Sequence, residues 1–247
     1  MMLRSKSKSL TKKKYLAIIP ARSGSKGIKN KNIIEFDNKP LIHYTFKSAT
    51  ETKGIDKIFV STDSKDIQEL SKKYDCVLCP TLRPKNISKD SSRAEDYVAH
   101  TLKFLIKKES YKPDNVIILQ PTSPLRESSH IEEAIKIFEK NDKIADSLVS
   151  VTEVPHLFSP ESVMIKKNKY VLPFDKKGIK KNLRQQKSIF YARNSAIYIF
   201  KRQTFMKYGN FYGKNIIHFK MDKFSSVDID EISDIHLAEH YKSQRDA

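Results

Sequence analysis

Five short apolar runs alternate with segments of helical periodicity through the first 150 residues of this 247-residue chain, and that alternation restricts the fold more than any other feature. The runs are 15–19 (YLAII), 56–61 (DKIFVS), 76–79 (CVLC), 115–119 (NVIIL) and 147–151 (SLVSV). They are brief and rich in Val and Ile, as strands buried on both faces are. Between them, Pro40, favourable in a first turn, opens a helix carrying LIHYTFKSAT. A second helix starts near Asp63 and Ser64 and runs to Tyr74, with Ile67 and Leu70 on one face. A third covers 94–108, with Val98, Leu102 and Leu105 at helical spacing. A fourth runs from Ser128 or Ser129 to Glu139, with a capping-box pairing to Glu132. Strands alternating with helices predict an α/β chain: a three-layer α/β/α domain around a mostly parallel sheet. Residues 152–187, with Pro155, Pro160 and Pro173 in a lysine-rich stretch, break the pattern and read as one insertion. The pattern resumes at 189–200 and 215–219 and closes on a helix from Glu231 to about Lys242.

Composition narrows the function classes. Apolar content of 38% and charged content of 31% suit a globular domain with a full core. No apolar run approaches the ~20 residues that span a bilayer, so no membrane partner is expected. The N-terminus is basic with no apolar segment behind it, unlike a secretory signal. Residues 1–14 are expected to form a disordered tail, and the protein to be cytoplasmic. The net charge of +18 invites a nucleic-acid reading, but 14 of those charges sit in residues 1–14 and 165–187. Nucleic-acid binders spread charge along a face and interleave aromatics for stacking. No nucleic-acid partner is expected, and a basic nucleic-acid-binding protein stands only as the rival from another class. Cys76 and Cys79 form a CxxC without a second ligand pair, so two buried apolar thiols are expected.

Ligands of open α/β sheets bind at the carboxyl ends of strands, and four polar clusters fall at such ends. The first is the loop after the opening strand, PARSGSKGIKNKN, where Arg22, Lys26, Lys29 and Lys31 accompany Gly24 and Gly27. It lacks GxxxxGK[ST] and GxGxxG. Glycines let backbone amides approach anionic oxygens, and the cations supply charge-assisted hydrogen bonds: a phosphate cradle. The second cluster is Arg83-Pro84 with Ser88, Asp90 and Ser91. The third runs from Gln120 to Arg126 (QPTSPLR). The fourth is Ser226-Val-Asp228-Ile-Asp230. In an extended segment, Asp228 and Asp230 project from one face and can meet one hard cation. Asp230 is equally placed to cap the following helix. A cationic phosphate loop with a paired-carboxylate magnesium site suits phosphoryl or nucleotidyl transfer. No GxSxG or HExxH motif competes.

These clusters resemble the acylneuraminate cytidylyltransferases, the CMP-sialic acid synthetases and relatives that activate other nine-carbon acidic sugars. The resemblance rests on IPARSGSKGIKNKN (19–32), VSTD (60–63), Arg83-Pro84 with SKDSS following, LQPTSPLR (119–126), YARNSAIYIF (191–200) and SVDIDEISD (226–234), in family order over residues 15–240. It implies a Rossmann-like nucleotidyltransferase fold that converts CTP and a 2-keto acid sugar into a CMP-sugar and pyrophosphate with Mg²⁺. By that resemblance Arg22 and Lys31 bind the triphosphate with Ser25 and Lys26 assisting, and Arg83 and residues 86–94, with Asn86, Ser91 and Ala94 among them, surround cytosine and ribose. Gln120, Asn194, Tyr198, Phe211 and Tyr212 line the sugar pocket. Asp228 and Asp230 hold Mg²⁺, and Arg22, Lys31 and Asp228 carry the catalytic roles. The 152–187 excursion corresponds to the family's dimerisation segment, implying a homodimer in which Arg184 or a neighbouring Lys pairs with the sugar carboxylate. Two departures stand out: Ser195 replaces the Gly common in the family, and the insertion is unusually basic. N-acetylneuraminate leads as the sugar, ahead of legionaminate and pseudaminate, with ketodeoxyoctonate a poorer fit to the motifs.

Overall fold

The computed structural model describes residues 12–24, 27–176 and 188–246. A seven-stranded sheet forms the centre, in the order β11-β7-β10-β6-β1-β4-β5. Its strands are β1 (Tyr15–Pro20), β4 (Lys57–Ser61), β5 (Val77–Leu78), β6 (Asn115–Leu119), β7 (Ser147–Glu153), β10 (Tyr191–Lys201) and β11 (Ile216–Lys220). Only β10 runs antiparallel to its neighbours, β6 and β7. Among the described residues, two small hairpins complete the strand set: β2 (Glu35–Phe36) with β3 (Lys39–Pro40), and β8 (Met164–Lys167) with β9 (Tyr170–Pro173). Asp37 and Asn38 join the first pair, both at positive φ, as a tight hairpin turn requires.

The alternation of side chains along β1 produces the layers. Tyr15, Ala17 and Ile19 face a cluster with Ile42 and Phe46 of α1 (Leu41–Thr50), Ile67 of α2 (Lys65–Ser71), and Ile131 and Phe138 of α4 (Ser128–Lys140). Leu16 and Ile18 face the other side, against Val98 and Leu105 of α3 (Ala94–Lys108) and Phe205 of α5 (Arg202–Tyr208). Both faces of the strand are buried, which is why its sequence reads as a continuous apolar run rather than an alternating one. A third cluster lies at the carboxyl ends of the strands. There Ile28, Leu125, Val227 and Ile229 pack with Ile235 and Ala238 of α6 (Ile232–Asp246).

Most expected elements fall within one or two residues of their expected bounds, and the exceptions are local. The third strand shrinks to Val77–Leu78, leaving Cys76 exposed and Cys79 half-buried, so the expectation of two buried thiols fails for Cys76. Burial pushes the Cys79 thiol up to about 11. Glu127, not Ser128 or Ser129, caps α4: its N–H donates to His130 Nδ1 at 3.0 Å. The last helix begins at Ile232, and its start is served by Asp234, which accepts the N–H groups of Asp230 and Glu231 at 2.9 and 2.8 Å. The Asp230 side chain is therefore released from the capping role open to it in the sequence. Residues 1–11 of the basic tail and 177–187 of the insertion lie outside the described residues.

Candidate active site

The chain leaves β1 for β4 on one side of the sheet, then returns to place β6 on the other. The switch point between β1 and β6 opens a crevice at the strands' carboxyl ends, where ligands of such sheets bind. A cleft of about 400 Å³ occupies it, with Arg22, Lys31, Arg83, Tyr97, Gln120 and Asp230 among its walls.

The first loop is held open by polar side chains. Ser23 donates through both its N–H and its Oγ to the Asp63 carboxylate, each at 2.8 Å. Asn32, buried, donates to the Arg22 carbonyl at 3.0 Å. Lys31 Nζ donates to the Ile229 carbonyl at 2.7 Å and to Asp230 Oδ1 at 2.8 Å, tying this loop to the 226–231 segment. Arg22 pairs with Asp90 across the cleft. Each cation thus faces the cleft already bonded to an exposed carboxylate, an ion pair that is weak in water and that a polyanion can displace. The glycine at 27 has a steric cause. A Cβ there would sit 2.3 Å from the Asp230 carbonyl oxygen, so the loop can lie against the aspartate segment only with no side chain at this point.

Arg83 follows β5 and folds back over the end of β4. Its Nε donates to Ser61 Oγ at 3.0 Å and its Nη2 to the Ser61 carbonyl at 2.5 Å. The guanidinium lies 5.0 Å from the centroid of the Tyr97 ring, and burial lowers its pKa. Ala94 lines the cleft, whereas Asn86 and Ser91 are exposed and stand outside its walls; Ile87 and Ser92 line it instead. Lys89 and Arg93 line it within the 86–94 span that the resemblance places around base and ribose, and Tyr97 is a lining residue outside that span. Tyr97 was detectable as the residue one helical turn beyond Ala94 on the same face of α3.

Val227 and Ile229 are buried in the third cluster, and between them Asp228 turns the other way. Its Oδ1 is buried with no hydrogen-bond partner among the described residues. Burial raises its pKa, the side chains of Thr122 and Ser195 offset part of that, and the charge of Asp230 adds to it. A buried, uncompensated carboxylate oxygen beside a second carboxylate fits a divalent cation, which takes one or two carboxylates and completes its shell with phosphate and water. The donor set therefore suits Mg²⁺.

The residues expected at the sugar divide into two groups. Gln120 lines the cleft. Tyr198, Phe211 and Tyr212 form an aromatic cluster beyond it, with Tyr198 5.7 Å from Phe211 and Phe211 4.6 Å from Tyr212 between centroids. Phe211 belongs to the core, and Tyr212 bonds to Arg193. Asn194 is buried and its side chain is committed to the fold: Oδ1 accepts from Ser150 Oγ at 2.5 Å and Nδ2 donates to Ser226 Oγ at 2.9 Å. It braces a break in the β10 pairing register, where Ser195 adopts a left-handed φ of 61°. Ser25, Lys26 and Arg184 lie outside the described residues.

A non-glycine residue at such a φ carries strain. Ser195→Val places a β-branched side chain there and is expected to cost ~2–3 kcal/mol. Ser195→Gly is expected to stay within ~1 kcal/mol of the parent. Urea denaturation of both variants checks this, and a Val variant no less stable than the Gly variant would remove the backbone argument.

Comparison with known proteins bears on this geometry. The family model described as Cytidylyltransferase matches residues 16–246. N-acylneuraminate cytidylyltransferase of Escherichia coli O18:K1:H7 is 34% identical over 91% of this chain and 51% of that protein. CMP-N,N'-diacetyllegionaminic acid synthase of Legionella pneumophila subsp. pneumophila is 33% identical over 92% of this chain and 95% of that protein. The chain spans about half the length of the first curated relatives it matches. In fold it is similar to a CMP:2-keto-3-deoxy-manno-octonic acid synthetase solved with CTP, with a TM-score of 0.68 at 16% identity, covering 94% of this chain and 99% of that one.

Proposed function

The chain belongs to the cytidylyltransferase family, and on that premise we propose that it transfers the cytidylyl group of CTP to the anomeric hydroxyl of a nine-carbon 2-keto acid sugar, releasing pyrophosphate. The observation that carries this is the convergence in one crevice of Arg22, Lys31 and Asp230, with Asp228 buried two residues earlier in the same segment. Arg22 and Lys31 exchange their carboxylate partners for triphosphate oxygens, and Lys89 and Arg93 add positive charge to the same wall. Arg83 and Tyr97 form the floor against which the base and ribose rest. Asp228 and Asp230 hold Mg²⁺, which when bound neutralises charge on the phosphate under attack and favours ionisation of the attacking hydroxyl. Nucleotidyl transfer needs positioning and charge neutralisation more than covalent catalysis, and these residues supply both.

N-acetylneuraminate is the leading sugar. Legionaminate is the second reading, favoured by the 95% of the Legionella synthase that this chain covers. Pyrophosphate release by the purified chain with CTP and Mg²⁺, measured across N-acetylneuraminate, legionaminate, pseudaminate and ketodeoxyoctonate, tests both. Release with one nine-carbon sugar supports the reaction and names the substrate. Absence of release with all four, under conditions where CTP binds, would overturn the choice of acceptor.

The chain acts as a homodimer in the cytoplasm. Supporting the dimer, the β8–β9 hairpin and its flanks expose Phe158, Ile165, Tyr170, Val171 and Phe174, a concentration of apolar side chains that monomers rarely leave in water. Val171→Asp with Tyr170→Asp is expected to halve the mass seen by light scattering at micromolar concentration. An unchanged mass would place the interface elsewhere. Among the described residues, no helix is long and apolar enough to cross a membrane.

A further inference from the structure

Arg126 is a buried charge without an anion. It closes the 120–127 loop, only 2% exposed, and its side chain turns back beneath that loop. Nη1 donates to the carbonyls of Gln120 at 2.9 Å and Ala196 at 3.0 Å. Nη2 donates to Thr45 Oγ1 at 2.7 Å and more weakly to Ser48 Oγ at 3.5 Å. Nε is buried and has no partner among the described residues. All four acceptors are neutral, and burial lowers the guanidinium pKa to about 9 with no opposing charge. A buried charge left uncompensated is costly, and an anion nearby would offset that cost.

Such an anion has a place to sit. Arg126 lies in the wall of a second cavity of about 420 Å³, on the far side of the 120–127 loop from the cleft. Lys47 and Ser48 of α1, Glu127 and Ser128 at the start of α4, and Lys242 and Arg245 of α6 enclose it. Four cationic side chains meet two carboxylates there, Glu51 and Glu127. Glu127 is bonded to Arg245 at 3.1 Å, and from outside the lining Asp222 stands 3.9 Å from Arg245 and Asp37 pairs with Lys242 at 2.8 Å, which leaves Lys47 and Arg126 as the lining cations with no ion pair among the described residues. Ser128 adds a hydroxyl to the lining that can serve a phosphate oxygen, whereas those of Tyr44 and Ser48 donate to Asp37 and to the Thr45 carbonyl.

The loop is a wall common to both spaces. Gln120, Pro121 and Thr122 line the cleft, whereas Pro124, Leu125 and Arg126 line the second cavity. Arg126 holds the Gln120 carbonyl, and the Thr122 carbonyl accepts the N–H of Ile229, the residue before Asp230 of the cleft, at 2.8 Å. We propose that the cavity behind the 120–127 loop is a second anion site, taking a phosphate-class oxyanion against Arg126, Lys47 and Arg245, and that its occupancy alters affinity in the cleft through the loop they share.

Inorganic phosphate is the probe, titrated calorimetrically into the full chain at constant ionic strength held with chloride. Binding is expected to persist in the Arg22→Ala/Lys31→Ala double variant, where the cleft is disabled. It is expected to weaken about tenfold or more in Lys47→Glu, equivalent to ~1.4 kcal/mol. Lys47 is exposed, so that variant keeps its fold. Arg126→Met is the direct test, read only after circular dichroism shows it folded. With phosphate saturating, CTP affinity should shift several-fold in the parent and not in Lys47→Glu, because coupling between sites is reciprocal. Simple competition in the cleft would survive Lys47→Glu. Phosphate binding lost with the cleft variant, unaffected by Lys47→Glu, or undetectable would overturn the site. Failure of CTP to bind at all would count against the nucleotidyl-transfer reading and leave the phosphate arm decisive. Pyrophosphate and CMP, run as parallel titrants, separate a free oxyanion from a nucleotide phosphate as its source.

Discussion

Asp228→Asn is expected to lower pyrophosphate release by at least ~10²-fold, corresponding to roughly 3 kcal/mol of lost transition-state stabilisation, while the melting temperature stays the same or rises. The two halves of this expectation have one cause. The Asp228 carboxylate is buried with one oxygen unpaired, and burial raises its pKa. A carboxyl whose folded pKa exceeds its unfolded value stabilises the fold only while protonated. That contribution is complete below the unfolded pKa and is lost as pH rises through the folded one. At neutral pH the native carboxylate therefore opposes folding, and a neutral, nearly isosteric amide removes that opposition. Each kcal/mol regained would raise the melting temperature by roughly 2–4 °C in a chain of this size. The gain should shrink as pH falls through the raised folded pKa and be absent below the ordinary carboxylate range. Calorimetry at several pH values, beside the pyrophosphate assay with and without EDTA, reads both halves. A variant that keeps full activity would end the metal role, and one that loses activity together with its fold would make Asp228 structural.

The second large effect is expected at a residue with no side chain. Gly27→Ala should reduce kcat/KM by about 10² while leaving secondary structure intact. The added Cβ would lie 2.3 Å from the Asp230 carbonyl oxygen, a backbone atom that no rotamer change can move aside. Either the first loop or the 226–231 segment must shift. Lys31 is bonded at once to the Ile229 carbonyl and to Asp230, so the shift separates the cationic loop from the carboxylates. Displacements near 1 Å in positioning groups cost on this order. Steady-state kinetics with varied CTP check it. Gly24→Ala is the control, because its Cβ would meet only the tip of the flexible Arg22 side chain, at 3.4 Å. Equal losses in both variants would point to general loop disturbance rather than to the contact with Asp230.

Much of the molecule was legible in its residues because periodicity reports burial. The runs at 15–19 and 115–119 announced central strands, since a strand covered on both faces has no polar side to show. The clusters at Arg22 and Lys31, Arg83, Gln120 and Asp228 were legible because strand ends in an open sheet are where polar residues gather for a ligand. The local sequence could not reveal commitments made across the fold. Asn194 reads as a pocket residue until Ser150 and Ser226, 44 and 32 residues away, are seen to occupy its amide. Asp230 reads as both a metal ligand and a helix cap until Asp234 takes the capping role and Lys31, 199 residues distant, bonds to the carboxylate. Gly27 reads as a glycine that lets backbone amides approach a phosphate until the Asp230 carbonyl is found where its side chain would be. Arg126 reads as the end of a proline-rich loop until it proves to be buried without an anion. Short-range pattern determined which segments became strands and helices and which ends carried charge, because propensity and burial act within a few residues. Which polar group meets which was decided by the tertiary structure, because hydrogen bonds and steric contacts between distant segments exist only once the sheet has brought its strand ends together.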